Sequence, residues 1–200
     1  MNQITYEELN LSYQFEIIVT MEKNEENRES RKPFFRKGHS ETFHHLLLKF
    51  LAYCYFWDEP RELIIEPNYR VEGYKPDLLQ LIPSEIPRRL KKDVGIWVEC
   101  KDVSEKKLLK LAKTLPRGQI YWFHIDHYFE RLLSHPKILK KFDSHTNLKL
   151  IGIDMTYQEY DFLAYQMGGR NLKWFIQRNE ETLIIIDRRW KREIEFCNKQ

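Results

Sequence analysis

Tyr74-Lys75-Pro76-Asp77-Leu78-Leu79-Gln80-Leu81-Ile82 and Val94-Gly95-Ile96-Trp97-Val98-Glu99-Cys100-Lys101 are the two runs whose reading decides the fold. Each is an apolar strand with charge at one end. Pro76-Asp77 bounds the first and Glu99-Cys100-Lys101 closes the second. Side chains alternate along a strand, so Trp97, Glu99 and Lys101 are expected on one face and Ile96, Val98 and Cys100 on the other. Charges on so apolar a strand are costly unless paired, hydrated or bound to a metal. Two carboxylates and an ammonium at neighbouring strand ends therefore point to a divalent-cation site. Their hard oxygens suit Mg²⁺ or Mn²⁺, ions that keep several waters and bind through a few carboxylates plus substrate phosphate.

This arrangement resembles the PD-(D/E)XK nuclease signature, carried here by Pro76, Asp77, Glu99, Cys100 and Lys101. The resemblance implies that Asp77 and Glu99 are metal ligands, with the Cys100 backbone carbonyl as a third. It makes Lys101 the group that orients or deprotonates the attacking water. It also offers Glu41 as a helix-borne accessory acid and Gln119, which opens a later strand, as an accessory residue. Glu105-Lys106-Lys107 repeats the Glu-x-Lys letters. It opens a helix, however, and reads as a dipole-favouring acid followed by solvated lysines.

With 200 residues and 42% hydrophobic content, the chain supports one well-buried core and is short for two, so residues 1–200 are expected to form a single domain. Aromatics at 14% predict an aromatic-rich core. The net charge of +3 is too small to attract a polyanion by itself, which leaves local basic patches to do so. Cys54, Cys100 and Cys197 show no Cys-x-x-Cys spacing, arguing against a disulfide framework or zinc ribbon and for a reducing compartment. No long uncharged apolar run and no secretory leader is evident, so the expected location is the cytoplasm, without a membrane partner.

Tyr13 to Val19 reads as a strand, and the charged stretch of about residues 22–33 as a mobile loop. Ser40 is placed to cap a helix whose Phe43, Leu46, Leu47, Phe50, Leu51, Cys54 and Tyr55 form one apolar stripe. Strands are expected at Leu63–Glu66, Tyr74–Ile82 and Val94–Lys101. A helix capped by Ser104 and the strand Gln119–Ile125 follow. Beyond lie one helix over Tyr128–Phe142, the strand Leu148–Ile153 and a helix at Tyr157–Met167. Leu172–Gln177 and Thr182–Ile186 form a hairpin, with Glu193–Phe196 as an edge. The fold class is α/β (α+β): a mixed central sheet flanked by helices, with a restriction-endonuclease-like core over about residues 40–126 and extra N- and C-terminal strands.

The chain as a whole resembles the YaeQ-type proteins, small proteins built around a PD-(D/E)XK-like core. The residues that carry the resemblance are the His39-Ser40-Glu41-Thr42 helix start with its apolar helix, and the Trp97-Val98-Glu99 strand. The early and terminal strands extend it. Relatives can lack the full Glu-x-Lys element and carry an acid three residues after the Ser-Glu-Thr glutamate, where this chain has His44. The resemblance implies a nuclease-like core without a settled reaction.

Of the remaining groups, His44 and His45 read as partly exposed helix histidines, since adjacent residues cannot share a metal as an i, i+4 pair can. Arg88, Arg89, Lys91 and Lys92 lie between the two motif strands and are candidates for tracking a phosphate backbone. Lys106, Lys107, Lys110 and Lys113 read as the solvated face of a helix. Arg188, Arg189, Lys191 and Arg192 around Trp190 suit either base stacking or a charge-guarded sheet edge. The function expected is a Mg²⁺-dependent (or Mn²⁺-dependent) nuclease or phosphodiesterase acting on DNA or RNA. The alternative is a catalytically silent nuclease-fold module that binds nucleic acid or protein.

Overall fold

The computed structural model describes residues 14–16, 18–24, 27–31, 33–38, 40–59, 61, 63–83, 93–168, 173–178 and 182–199. The basic run Arg88, Arg89, Lys91 and Lys92 lies outside them, as do His39 and Leu172. In chain order the strands are β1 (Gln14–Glu16), β2 (Ile18–Asn24), β3 (Asn27–Arg31), β4 (Phe34–Arg36), β5 (Ile64–Ile65), β6 (Leu78–Ile82) and β7 (Asp93–Cys100). They continue as β8 (Gln119–Ile125), β9 (Leu148–Asp154), β10 (Lys173–Arg178), β11 (Thr182–Ile186) and β12 (Lys191–Asn198). The helices are α1 (Phe43–Tyr55), α2 (Glu105–Thr114), α3 (Asp126–Leu133), α4 (Pro136–Asp143) and α5 (Tyr157–Met167).

Ten strands form one mixed sheet in the order β3-β2-β10-β11-β12-β9-β8-β7-β6-β5, while β1 and β4 pair separately. The pairs β2/β10, β7/β8 and β8/β9 are parallel, and the other neighbours are antiparallel. The expected mixed α+β architecture is present.

Strand alternation divides the core in two. Ile96, Val98 and Cys100 face a layer containing α1 and α5. Trp97, Leu79 and Trp122 face α2, with Phe129 of α3 and Phe142 of α4. The core is rich in aromatics, among them Trp57, Trp97, Trp122, Trp174 and Phe50. Each large apolar side chain so buried contributes about 1.5–3 kcal/mol relative to exposure. No helix among the described residues is long and apolar enough to cross a membrane.

Several expectations need correction. The charged stretch of residues 22–33 is not a loop: β2 runs to Asn24 and pairs with β3 over Asn27–Arg31. It is a polar ribbon at the sheet margin, where strands need no continuous apolar face. Helix α1 is capped by Thr42, whose hydroxyl accepts from the His45 amide at 3.3 Å, and not by Ser40. The helix expected over Tyr128–Phe142 is two, because Pro136 starts α4 as its first residue and cannot continue α3. The terminal strand is no edge, since β12 lies between β11 and β9. Trp190 packs against Phe162 and Trp174, so its ring belongs to the core margin and not to a base-stacking surface.

Candidate active site

Glu41, His45 and Lys49 occupy positions i, i+4 and i+8, a polar stripe along an otherwise buried helix. Glu41 precedes the Thr42 cap, and its Oε2 accepts from the Gly38 amide at 3.0 Å. Its Oε1 lies 3.1 Å from His45 Nδ1 and also contacts the Lys49 ammonium. The other imidazole nitrogen, Nε2, is 3.1 Å from Asp77 Oδ1. Lys49, 1% exposed, pairs with Glu66 as well. An unpaired ammonium at that depth would be strongly unfavourable, so the two carboxylates are a condition of its burial.

The charges settle accordingly. Burial opposes ionisation of Glu41, but His45 and Lys49 outweigh it and bring the carboxyl down to about 2. Burial likewise opposes charge on His45, yet Asp77 and Glu41 raise the imidazole to about 9. His45 therefore stands as an imidazolium between two acids. It is a partly exposed helix histidine as expected, but it bridges two acids, and the i, i+4, i+8 spacing was the signal that could have shown this.

Asp77 stands one residue before β6. Its Oδ2 accepts from the Cys100 amide at 2.8 Å, which ties it to the end of β7. Glu99, 3% exposed, is on the opposite side of β7 from Cys100. Its Oε1 accepts from Trp97 Nε1 at 2.8 Å, as alternation predicts for residues two apart. Its Oε2 accepts from Lys107 Nζ at 2.7 Å. Ser104 caps α2 and so sets Lys107 one turn into the helix, beneath the strand end. Lys107 is therefore not a solvated lysine but the partner of a buried acid. Burial first, and the Asp77 charge second, raise the Glu99 carboxyl to about 7 despite that ammonium.

Lys101 departs from strand geometry. Its φ of +65° ends the alternation at Cys100, its amide donates to Phe123 O at 3.0 Å, and its carbonyl accepts from Trp122 Nε1 at 2.6 Å. The side chain consequently turns to α1, where Nζ donates to Thr42 Oγ1 at 3.1 Å. The expectation that Lys101 continues the Trp97 and Glu99 face by simple alternation fails for this backbone reason. Cys100 contributes its amide, while its thiol is buried in the core and pushed well up by that burial. Gln119 opens β8 opposite Ile96, at the far end from Lys101 and exposed, so it is not brought to the cluster. His44 bonds Asp161 of α5 at 2.7 Å, away from Asp77.

The carboxylates of Asp77 and Glu99 are the hard-oxygen donors that Mg²⁺ or Mn²⁺ prefers. Burial first, and the Asp77 charge after it, keep the Glu99 carboxyl raised although Lys107 bonds it. Glu41, by contrast, accepts from the Gly38 amide and is ion-paired to both His45 and Lys49. Among the described residues no group of three or more His, Cys, Asp or Glu side chains is arranged to hold a metal.

The architecture matches two solved structures over nearly its whole length. The YaeQ protein from Xanthomonas axonopodis pv. citri aligns with a TM-score of 0.69 at 13% identity, covering 95% of this chain and 99% of the other. The fold is that of the YaeQ proteins. The YaeQ protein from Pseudomonas syringae gives a TM-score of 0.68 at 18% identity, covering 94% and 96%. At such identities the YaeQ likeness shows the fold alone. No family model matches the sequence, and no curated protein does.

Proposed function

We propose that the protein is a YaeQ-family, metal-dependent phosphodiesterase with a PD-(D/E)XK-like core, acting on nucleic acid through Asp77, Glu99 and Lys101. The observation that supports this reading is the placing of the two acids at adjoining strand ends, Asp77 bonded to the Cys100 amide and Glu99 buried at the preceding residue. Asp77 and Glu99 would hold Mg²⁺ or Mn²⁺. When bound, such an ion polarises the scissile phosphate and lowers the pKa of a coordinated water. The chain's own groups do the rest. The Cys100 amide and His45 fix the two oxygens of Asp77. Trp97 and Lys107 fix those of Glu99. Lys101, bonded to a neutral hydroxyl, has further donors to offer a phosphate oxygen or the attacking water. Arg88, Arg89, Lys91 and Lys92 would follow the phosphate backbone, and neutralising them would flatten the salt dependence of binding.

The test is cleavage of DNA and RNA substrates with Mg²⁺ and with Mn²⁺, comparing wild type with Lys101→Ala and Asp77→Asn prepared identically. Metal-dependent cleavage by wild type, lost in both variants, supports the reading; equal residual cleavage in all three overturns it. One observation favours the silent-module reading: His45 and Lys107 already occupy oxygens of Asp77 and Glu99 that a cation would use. Nucleic-acid binding without cleavage, together with no metal-induced rise in melting temperature, would decide for that module.

A further inference from the structure

We propose that the outer faces of α2 and α4 form one basic surface that holds the phosphate backbone of a nucleic acid alongside the Asp77 and Glu99 site. The inference rests on the functional reading above for the site it serves, and on where the fold gathers its lysines for the surface itself.

Lys106, Lys110 and Lys113 recur at i, i+4 and i+7 on α2, and Lys137, Lys140 and Lys141 at i, i+3 and i+4 on α4, so each set shares one helix face. All six are exposed. The fold sets the two helices side by side. Phe142 of α4 packs in one cluster with Leu108 and Leu111 of α2, and Lys141 Nζ reaches Glu105 Oε1 at 2.6 Å. The Asn147 side-chain amide, just beyond α4, donates to Ala112 O at 3.0 Å and to Leu115 O at 2.9 Å. The three α2 lysines line a groove whose apolar wall is Leu109.

The acids here are few. Glu105 is used by Lys141, and Glu72, from the turn before β6, pairs with Lys110 at 2.8 Å. Asp143 ends α4 and is exposed. Six ammonium groups against three carboxylates leave three positive charges, as many as the net charge of +3 on the entire chain. The rest of the molecule is therefore neutral by formal count. Lys106, Lys113, Lys137 and Lys140 enter no ion pair among the described residues, so their charge is open to a partner.

The surface adjoins the site. Lys107 of the same helix bonds Glu99 Oε2 at 2.7 Å. Lys107 and Lys110 both lie over the Tyr74 ring, their Nζ atoms 5.5 Å and 5.9 Å from its centre, and Tyr74 stands three residues before Asp77. One acid is thus held by this helix, and the loop carrying the other rests on it. From Lys106 to Lys113 the helix rises about 10 Å, a length over which a nucleic-acid duplex presents about six phosphate charges. A protein partner would call for an apolar centre. The exposed large hydrophobic side chains among the described residues are Ile64, Tyr157 and Tyr165, none of them on α2 or α4.

The test uses two variants that lose the same charge in different places. One replaces Lys106, Lys113, Lys137 and Lys140 with Gln; the other replaces Arg188, Arg189, Lys191 and Arg192, equally exposed around the start of β12, with Gln. Binding of fluorescein-labelled duplex DNA, single-stranded DNA and RNA is followed in chelator against salt. The α2/α4 variant should bind about tenfold or more weaker at low salt. Its slope of log affinity against log salt should flatten by about 0.9 for each duplex contact removed, or about 0.7 for each single-strand contact. The β12 variant should keep the wild-type slope, and Arg at the four α2/α4 positions should restore binding. Both Gln variants should melt close to wild type, as exposed substitutions do. An unchanged slope in the α2/α4 variant, an equal fall in both, or no binding by wild type overturns the inference. Displacement by polyglutamate at matched charge concentration also overturns it, assigning the surface to an acidic protein. Cleavage is scored separately. Binding with the expected slopes but no cleavage in Mg²⁺ or Mn²⁺ sinks the nuclease reading and leaves this one; cleavage with an unchanged α2/α4 slope does the reverse.

Discussion

The two halves of the candidate site contain the same kinds of residue and reach opposite electrostatic ends. On the α1 side, Glu41 faces an imidazolium and an ammonium and falls to about 2. On the α2 side, Glu99 faces one ammonium, deeper burial and a neighbouring Asp77, and rises to about 7. The first half is a closed ionic network that serves the fold. The second holds a buried acid raised by burial first and by the Asp77 charge second; under the metal-dependent reading proposed above, a bound cation would relieve that repulsion. Asp77 belongs to both, since His45 and Cys100 hold it while its charge acts on Glu99.

The strongest way to break this contrast is Lys49→Met. Removing the ammonium leaves Glu41 and Glu66 facing each other, and the expected loss is about 3–5 kcal/mol by denaturant unfolding. A loss below the ~1 kcal/mol typical of an exposed pair would mean that the α1 network is not buried as described.

Next is His45→Gln. The imidazole is raised from 6.5 to about 9, so its contribution is fully present below the lower value and is lost as pH rises through the upper. The variant should cost about 2–3 kcal/mol in mildly acidic buffer, with the cost shrinking above about pH 9. A deficit that does not vary with pH would contradict the imidazolium.

Glu99→Gln should act in the other direction. Native Glu99 holds its proton up to about 7 while the unfolded carboxyl releases it near 4.5, so wild-type stability falls as pH rises through that window. The variant should lose this slope and gain about 1–2 kcal/mol above it, the Lys107 contact offsetting part of the gain. The same linkage predicts that metal binding strengthens as pH rises through about 7, and that Asp77→Asn abolishes any metal-induced rise in melting temperature. Melts with chelator and with excess Mg²⁺ across this range check both. The smallest effect belongs to Lys110→Ala. The 2.8 Å pair with Glu72 is exposed, and its loss should leave the melting temperature within measurement error.

What could be read from the chain follows from how local each determinant is. α5 has a capping box within it, Thr156 with Glu159, and its span was legible to the residue. β8 was equally plain as an apolar run between Gly118 and the α3 start. The positions of Asp77 and Glu99 beside strand ends were legible because each borders such a run. Lys101's turn depends on a positive φ with no glycine to announce it, and β12's central place depends on pairing with strands far away in sequence. β2 and β3 were hidden because apolar periodicity is weak in a margin ribbon. His45 was set aside together with His44, and Lys49 drew no reading at all, although their spacing from Glu41 carried the information.

The position of β12 has a consequence for how the molecule is made. It joins β3-β2-β10-β11 to β9-β8-β7-β6-β5, so residues 191–198 bridge two sets of strands that do not otherwise pair. During synthesis the strands bearing Asp77 and Glu99 leave the ribosome well before that bridge exists. Until Asn198 has followed, β9 and β11 each present an unpaired border to the cell. Chaperone capture or self-association should be greatest for nascent chains arrested between the end of β11 and the end of β12, and should fall once that last stretch has emerged.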